Sequence, residues 1–550
     1  MLPLTVQAQS PGDRDLLRQG QERLLEEQRH RLEQLQRAPA LAPAPSGVTL
    51  IDERCFEIER INVSGASLLT ERTRTKRLAP FEHRCLKTTD IDAVLRTLTD
   101  HYLDRGYITT RAYLPEQDLT SGVLEIQIIE GQLEELVPRL ESGLSARELK
   151  TAFPGKEGEQ LNLREIEQLL DQLNRLPSRQ ASVALEPGEH PGGSRAVIAN
   201  LADKAWRVSL SRHNNGQSST GKHLLEAGLE WDTPLGLNDA LALRLGKSLY
   251  HDSTRQNKNI AFQYSVPWGW WTAAYRFYGS DYDSVFTNGS FRFKTSGESH
   301  AHDLRLERVM HRDNLSKTLL SGALNTTETK NKLEDITLNS SVRLTELGLS
   351  LGHGRRLGPA FINLDLGWQR GMGWLGAARD QHPAKGEAHA QYNKYTATAS
   401  FLQPFTILKH PLSLESVAFW QKSRDVLYSP RQVGLGGLYS VRGFKDQTLY
   451  GDTGGYWRTQ LRWDKALTWT WLQPVFNRVS VAVGWDLGLI KRTNENEADG
   501  QHGRLAGHAL ELTAQGRYAR ASLVLAKSEK RPAAFERHEE PFYFRLDLTY

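Results

Sequence analysis

Three stretches of the 550-residue sequence carry residue types at spacings that could do chemistry. GQSSTGKH (residues 216–223) follows the G-x-x-x-x-G-K pattern of a phosphate-cradling loop as far as Lys222. The next position, which must hold magnesium, is His223 instead of Ser or Thr, and strand-like sequence follows where a helix is needed, so the stretch reads as a hairpin turn. GLSLG (348–352) fits the G-x-S-x-G nucleophile elbow, which requires a strand, a sharp turn and a helix. Here Leu347, Leu349 and Leu351 alternate with Gly348, Ser350 and Gly352, the period of a strand that runs straight through. His300 and His302 share one face of an extended segment and could begin a metal site, but no third ligand accompanies them. The sequence offers no catalytic constellation, no metal site and no cofactor site, and an enzyme is not expected.

A fourth stretch poses a different question. GLGGLYSVRGF (434–444) sets one cation, Arg442, among four glycines. A guanidinium makes paired, planar hydrogen bonds to a carboxylate, and glycine lets backbones approach closely. A partner is available in RVSVAVGWDLGLI (478–490), where Val479, Val481, Val483, Trp485, Leu487 and Leu489 share one face. Asp486 then points to the other face, with Gly484 and Gly488 clearing space on either side of it. On the residues alone, an unrelated surface arginine and an unrelated aspartate remain an alternative.

The elements that must position these residues follow from composition and period. The chain is 39% hydrophobic with a mean hydropathy of −0.52. It has no run of about 18 uncharged apolar residues, which excludes a transmembrane helix. A net charge of +4 is too small for this length to argue for nucleic acid. Aromatic residues and glycine crowd into the second half, as in an all-β domain. The N-terminal LPLTVQAQS ends like the tail of a cleaved secretory signal, assigned to residues 1–8. Cys55 and Cys85 suit either one disulfide in an oxidising compartment or two buried thiols.

Residues 13–37 read as a helix with Leu17, Leu24, Leu25, Leu32 and Leu35 at helical intervals, a stripe too thin for a globular core. We assign 9–37 to this helix and 38–54, with its APALAPAPSG, to a stiff linker. Two tandem β-α-α-β-β units follow, at 55–131 and 132–203, the first opening on FEIERINVSG (56–65) as one strand. In each unit the last two strands are expected to pair with the first, leaving a short strand at an edge open to another chain's strand. From 204 to 550 the text is alternation: Trp206, Val208 and Leu210 oppose Arg207, Ser209 and Ser211, and Trp457, Thr459, Leu461 and Trp463 oppose Tyr456, Arg458, Gln460 and Arg462. About sixteen segments of about ten residues, with aromatics near their ends, predict a transmembrane β-barrel of antiparallel strands.

Taken together, the signal-like tail, lone helix, Pro-rich linker, two α+β units, barrel, Val441-Arg442-Gly443-Phe444 tip and Gly-x-Asp-x-Gly strand resemble the outer-membrane transporters of two-partner secretion, the TpsB family. The small units resemble POTRA (polypeptide-transport-associated) domains. The resemblance implies that the tip belongs to a long loop, 426–452, tucked into the lumen and held by Asp486. It implies a pairing of Cys55 with Cys85, as in the haemolysin and contact-dependent inhibition branches, and an assembly signal at Tyr550, where Phe is more usual. The implied function is export of one large unfolded exoprotein of the TpsA type, captured by its N-terminal secretion domain at the POTRA edges, with the 9–37 helix plugging the pore. POTRA domains would sit in the periplasm, and the barrel would be a monomer in outer-membrane lipid, inserted by the barrel-assembly machinery. The absence of an ATP motif is consistent with folding outside the cell drawing the chain through. The rival readings are a passive porin and a membrane-protein insertase.

Overall fold

The computed structural model describes residues 9–37, 54–249, 254–288, 291–381, 386–469, 471–497 and 500–550. The signal remnant assigned to 1–8, and residues 38–53 of the linker, lie outside these described residues.

Sixteen long antiparallel strands, from Trp206–His213 to Phe542–Thr549, close into a barrel, with the two-residue segment Ile336–Thr337 as an added rung. The alternating pattern decides which side of each strand faces lipid. On Arg478–Ile490, Val483, Trp485 and Leu487 are 41–50% exposed, while Gly484, Asp486 and Gly488 between them are buried. The barrel can only close if the last strand pairs with the first, and it does, from Arg545 opposite His213 to Thr549 opposite Ser209. Tyr550 completes this seam: its amide donates to Val208 O at 2.9 Å and its carbonyl accepts from Val208 N–H at 3.1 Å. Several strands exceed the expected ten residues, the longest being Phe291–Arg312, because pairing continues beyond the thickness of a bilayer.

The first small unit contains β1 (Cys55–Ile58), β2 (Arg60–Ser64), α2 (Glu71–Leu78), β3 (Arg84–Lys87), α3 (Thr88–Leu103), β4 (Arg111–Tyr113) and β5 (Val123–Ile129), after the N-terminal helix α1 (Pro11–Arg37). Its sheet has the order β2-β5-β4, with β2 and β5 parallel and the three-residue β4 at one edge. The segment expected as one strand, FEIERINVSG, breaks at Glu59. The amides of Glu59 and Arg60 both turn to Gly122 O, which frees β1 to pair with β3, a strand the sequence reading missed. That small ladder carries Cys55 and Cys85, joined as a disulfide with Cα atoms 5.4 Å apart.

The second unit holds β6 (Gln132–Pro138), α4 (Ala146–Ala152), α5 (Leu163–Asn174), β7 (Arg179–Pro187) and β8 (Gly193–Ala202), in sheet order β6-β8-β7. Its edge strand β7 is nine residues long, not short, because β8 extends to match it along its whole length. This unit is bolted to one side of the barrel's near end. Glu167 and Asp171 on α5 pair with Arg312 at 3.0 and 2.5 Å, and Asp171 also pairs with Lys317 at 3.0 Å. The amides of Gln168 and Gln172 both donate to Gly269 O at 3.1 Å, and Asn238 donates to Glu148 O at 2.6 Å.

A disulfide closing a 30-residue separation contributes roughly 3–4 kcal/mol through the chain entropy of the unfolded state. We therefore expect no thiol to react in the denatured, unreduced protein, and a paired Cys55→Ser, Cys85→Ser variant to lose most of that stability in the first unit, read by urea-dependent proteolysis of that unit. Two reactive thiols in the unreduced chain would contradict the pairing.

Candidate functional site in the barrel lumen

The loop before the twelfth strand enters the barrel instead of lying over it. A two-strand ribbon, Val433–Leu435 with Leu449–Gly451, forms its stem. Between them the chain turns at Gly436 and Gly437, whose φ values of +113° and +95° suit only glycine. The tip has a core of its own. Val433, Leu435, Val441, Phe444 and Leu449 pack with Tyr456, Ile490, Leu505 and Phe535 of the wall and of the loop before the last strand. Val441 and Phe444 are fully buried, and Phe444 meets Phe535 edge-on at 5.6 Å.

This core delivers Arg442 to Asp486, and both are buried, at 1% and 0% exposure. Arg442 Nε donates to Asp486 Oδ2 at 2.8 Å and Nη2 to Oδ1 at 2.7 Å. The backbone N–H of Arg442 adds a third bond to Oδ2 at 2.9 Å. The remaining fork nitrogen, Nη1, donates to Gln460 Oε1 at 2.9 Å, and Gln460 in turn donates to Glu415 at 2.7 Å. A buried ion pair is tolerated only when its polar atoms find partners, and here each guanidinium nitrogen and both carboxylate oxygens have one.

Both glycines flanking Asp486 are required by distance. A Cβ at position 484 would lie 2.1 Å from Arg442 Nη2, and one at 488 would lie 2.9 Å from Val441 Cγ2. Gly443 passes so close to the neighbouring strand that a Cβ would meet Lys527 O at 2.7 Å. The structure thus brings Val441, Arg442, Gly443, Phe444, Gly484, Asp486 and Gly488 into one locus. Tyr550 stands apart at the near-end seam, its ring under the Lys204 ammonium at 3.7 Å.

Sequence reasoning missed several residues that hold the tip. Tyr543 donates its hydroxyl to the carbonyls of Arg442 and Phe444, each at 3.2 Å. Glu539 accepts from the amides of Lys445, Asp446 and Gln447 at 2.7–3.1 Å, capping the loop as it leaves the tip. Arg458 approaches Asp486 at 3.9 Å and donates to Leu438 O at 3.0 Å. Gln460 and Arg458 were legible as lumen-facing, but only folding shows which lumen residues meet a loop. Of the motifs set aside, 216–223 is a turn whose Lys222 pairs with Asp446 of the loop at 3.0 Å, and 348–352 lies within the strand Val342–Leu357. His302 Nδ1 meets the hydroxyl of Tyr275 at 2.8 Å.

Helix α1 fills much of the remaining lumen. Glu27 pairs with Arg276 at 2.9 Å and Arg305 at 3.3 Å; Arg31 pairs with Asp365 and with Glu307; Gln28 donates to Asp365 at 2.6 Å. The helix also touches the loop: Gln21 donates to Gly434 O at 2.7 Å, and Tyr439 donates to Glu22 at 2.7 Å.

The clearest structural test is Gly484→Ala, because one methyl group there occupies the guanidinium's place. In a Val441→Cys background, whose thiol starts fully buried, the substitution should speed labelling by a water-soluble maleimide at least about tenfold, the equivalent of about 1.4 kcal/mol of lost docking. An unchanged labelling rate would mean that the tip does not depend on the Arg442–Asp486 contact.

Comparison with known proteins agrees with this architecture. Residues 192–514 match the family described as haemolysin secretion/activation protein ShlB/FhaC/HecB. Residues 56–131 match the ShlB-type POTRA domain, and 133–187 match a second POTRA family. The chain is 31% identical to the outer membrane transporter CdiB of Dickeya dadantii over 98% of this chain and 95% of that one. It is 38% identical to the Escherichia coli outer membrane transporter CdiB over 82% of this chain and 77% of that one. The solved structure of CdiB from Escherichia coli superposes with a TM-score of 0.92 at 33% identity, covering 98% of this chain and 99% of that one. With a sixteen-strand barrel in the outer membrane and two POTRA domains in the periplasm, the chain belongs to the haemolysin secretion/activation family, the TpsB transporters of two-partner secretion.

Proposed function

We propose that this transporter recognises one large, unfolded exoprotein of the TpsA type in the periplasm and passes it through the barrel to the cell surface. Capture begins at the POTRA edges, where β4 and β7 can accept a strand from the exoprotein's N-terminal secretion domain. The observation that carries the reading is that two separable elements share the lumen, helix α1 and the docked loop 426–452, and touch each other there. A passive porin has no use for two such occupants or for a periplasmic arm. A membrane-protein insertase shares the arm-and-barrel plan, but normally has a different number of POTRA domains and no N-terminal plug helix.

In this mechanism α1 is the plug and must leave or shift before cargo enters. The contacts of Glu27, Gln28 and Arg31 with the wall are hydrogen bonds and ion pairs, which water and a passing polar backbone can replace one at a time. The loop tip stays, held by its apolar core and by Arg442 and Asp486, and sets the conducting state. Tyr550 at the seam serves as the signal to the barrel-assembly machinery, and the transporter works as a monomer in outer-membrane lipid. No nucleotide is needed, since the exoprotein's folding outside the cell makes passage one-way.

Two measurements test this. Deleting residues 9–37 should raise conductance in planar bilayers severalfold, and an unchanged current would remove the helix from the role of plug. For the loop, Arg442→Ala should cut secretion at least about tenfold with barrel insertion intact, because losing one partner of a buried pair costs about 3–5 kcal/mol.

Asp486→Arg should also fail, since it sets a new guanidinium beside Arg442 and Arg458, a repulsion of about 4 kcal/mol per pair at close range. The double variant Arg442→Asp, Asp486→Arg should recover part of the lost secretion, the recovery being incomplete because the reversed fork meets glycines shaped for the original order. Secretion is compared at equal surface levels of barrel. A double variant no better than the worse single one would separate the ion pair from export.

A further inference from the structure

The periplasmic connections of the barrel are short, two to seven residues, with one exception. The turn between Gly454–Ala466 and Arg478–Ile490 spans 467–477 and carries two exposed tryptophans, Trp469 at 59% and Trp471 at 73%. Their rings stack, with centroids 6.2 Å apart and planes 7° from parallel. Val475, on the same turn, is 46% exposed.

Two features of the backbone place this face. The strand ladder does not stop at Ala466: Leu467 N–H donates to Asn477 O at 2.9 Å, so the pairing register continues one rung further. On this strand the lipid-facing positions are the odd ones, Trp457, Thr459, Leu461, Trp463 and Lys465. Leu467 and Trp469 extend that same alternation past the strand's end, and the ring of Trp471 stacks on that of Trp469. At Trp469 the chain leaves the extended form and closes into helical turns that take in Trp471, with Gln473 N–H donating to Trp469 O at 3.1 Å and Phe476 N–H to Leu472 O at 2.7 Å.

The turn's place on the ring adds a second argument. POTRA 2 grips the connections at 233–239, 269–270 and 313–315, through Asn238, Gly269 and Asn314. Sixteen strands make eight periplasmic connections, counting the seam where the chain enters and ends. From 269–270, the centre of the POTRA 2 contact, the 467–477 turn is the fourth connection in either direction and lies diametrically opposite.

We propose that the 467–477 turn is a membrane anchor, with Trp469 and Trp471 seated in the headgroup region of the periplasmic leaflet on the side of the barrel away from the POTRA arm. Indole has an apolar body and one N–H donor, which suits it to that layer and to neither bulk water nor the hydrocarbon centre. The occupant is lipid, because Leu467 and Trp469 continue the lipid-facing row of their own strand and Trp471 stacks on Trp469. Load applied through POTRA 2 pulls on one side of the barrel, and an anchor opposite resists the tilt that follows. It also braces the hairpin whose second strand carries Asp486.

Both native cysteines are disulfide-bonded, so a single introduced cysteine is the one thiol available to a nitroxide label. Trp471→Cys and, separately, Val475→Cys are made in the full chain and reconstituted in vesicles of phosphatidylethanolamine and phosphatidylglycerol. Folding is checked by heat-modifiable migration. Power saturation then compares access by oxygen, which concentrates in lipid, with access by a water-soluble nickel chelate. Leu461→Cys on the lipid face and Leu140→Cys, 92% exposed on POTRA 2, set the two extremes. The expected oxygen-to-nickel ratio at both 471 and 475 lies several-fold above that at 140, towards that at 461. A ratio at 475 equal to that at 140, measured with both tryptophans in place, overturns the proposal and leaves the face to water or to a protein partner.

Discussion

The lumen of this barrel is organised by the requirement that Asp486, a carboxylate with no exposure to solvent, be neutralised and fully hydrogen-bonded. Arg442 meets it with three donors, one of them its own backbone amide, and that third bond fixes the loop as well as the side chain. An ion pair removed from water gains little unless its geometry is held from outside. The surroundings answer that need: Gly484 gives the guanidinium its space, Gln460 takes the spare nitrogen, and the packing of Val441 and Phe444 sets the backbone at the right depth.

The two occupants of the lumen are held by different physics. The loop tip has an apolar core and a buried charge pair, so undocking it exposes hydrophobic surface and strands a carboxylate. Helix α1 meets the wall through polar side chains such as Glu27, Gln28 and Arg31, whose partners Arg276, Arg305 and Asp365 are only partly shielded. The two elements lie side by side, joined by Gln21 to Gly434 and Glu22 to Tyr439.

The periplasmic end is asymmetric for a related reason. POTRA 2 binds three adjacent turns through a mixed set of charges and amides, with Arg312 shared between Glu167 and Asp171 on one helix. A helix face that reads as amphipathic has two clients here: Leu169 and Leu173 enter the domain's own core, while Gln168 and Gln172 turn to Gly269 of the barrel. The second unit is therefore held against one side of the barrel by directional contacts.

Much of this was legible beforehand, and the physical reason is periodicity. Alternation with period two separates a lipid face from a lumen face wherever a strand is one residue thick, so Asp486 with Gly484 and Gly488 could be placed inward from spacing alone. The tandem β-α-α-β-β pattern, the lone helix and the glycine-rich tip likewise follow from local preferences. What local preference cannot convey is which distant groups meet. FEIERINVSG carries one continuous strand pattern, yet Gly122 O, 63 residues beyond Glu59, bends it into β1 and β2. Tyr543 and Glu539 sit near the last strand with no motif to mark them, and become supports of the tip only because barrel closure brings the chain's end round beside the loop. The sequence by itself determined the faces, the repeats and the chemical type of each candidate; the tertiary structure alone decided the pairings, because the closing of a sixteen-strand ring is a global constraint that no window of neighbouring residues contains.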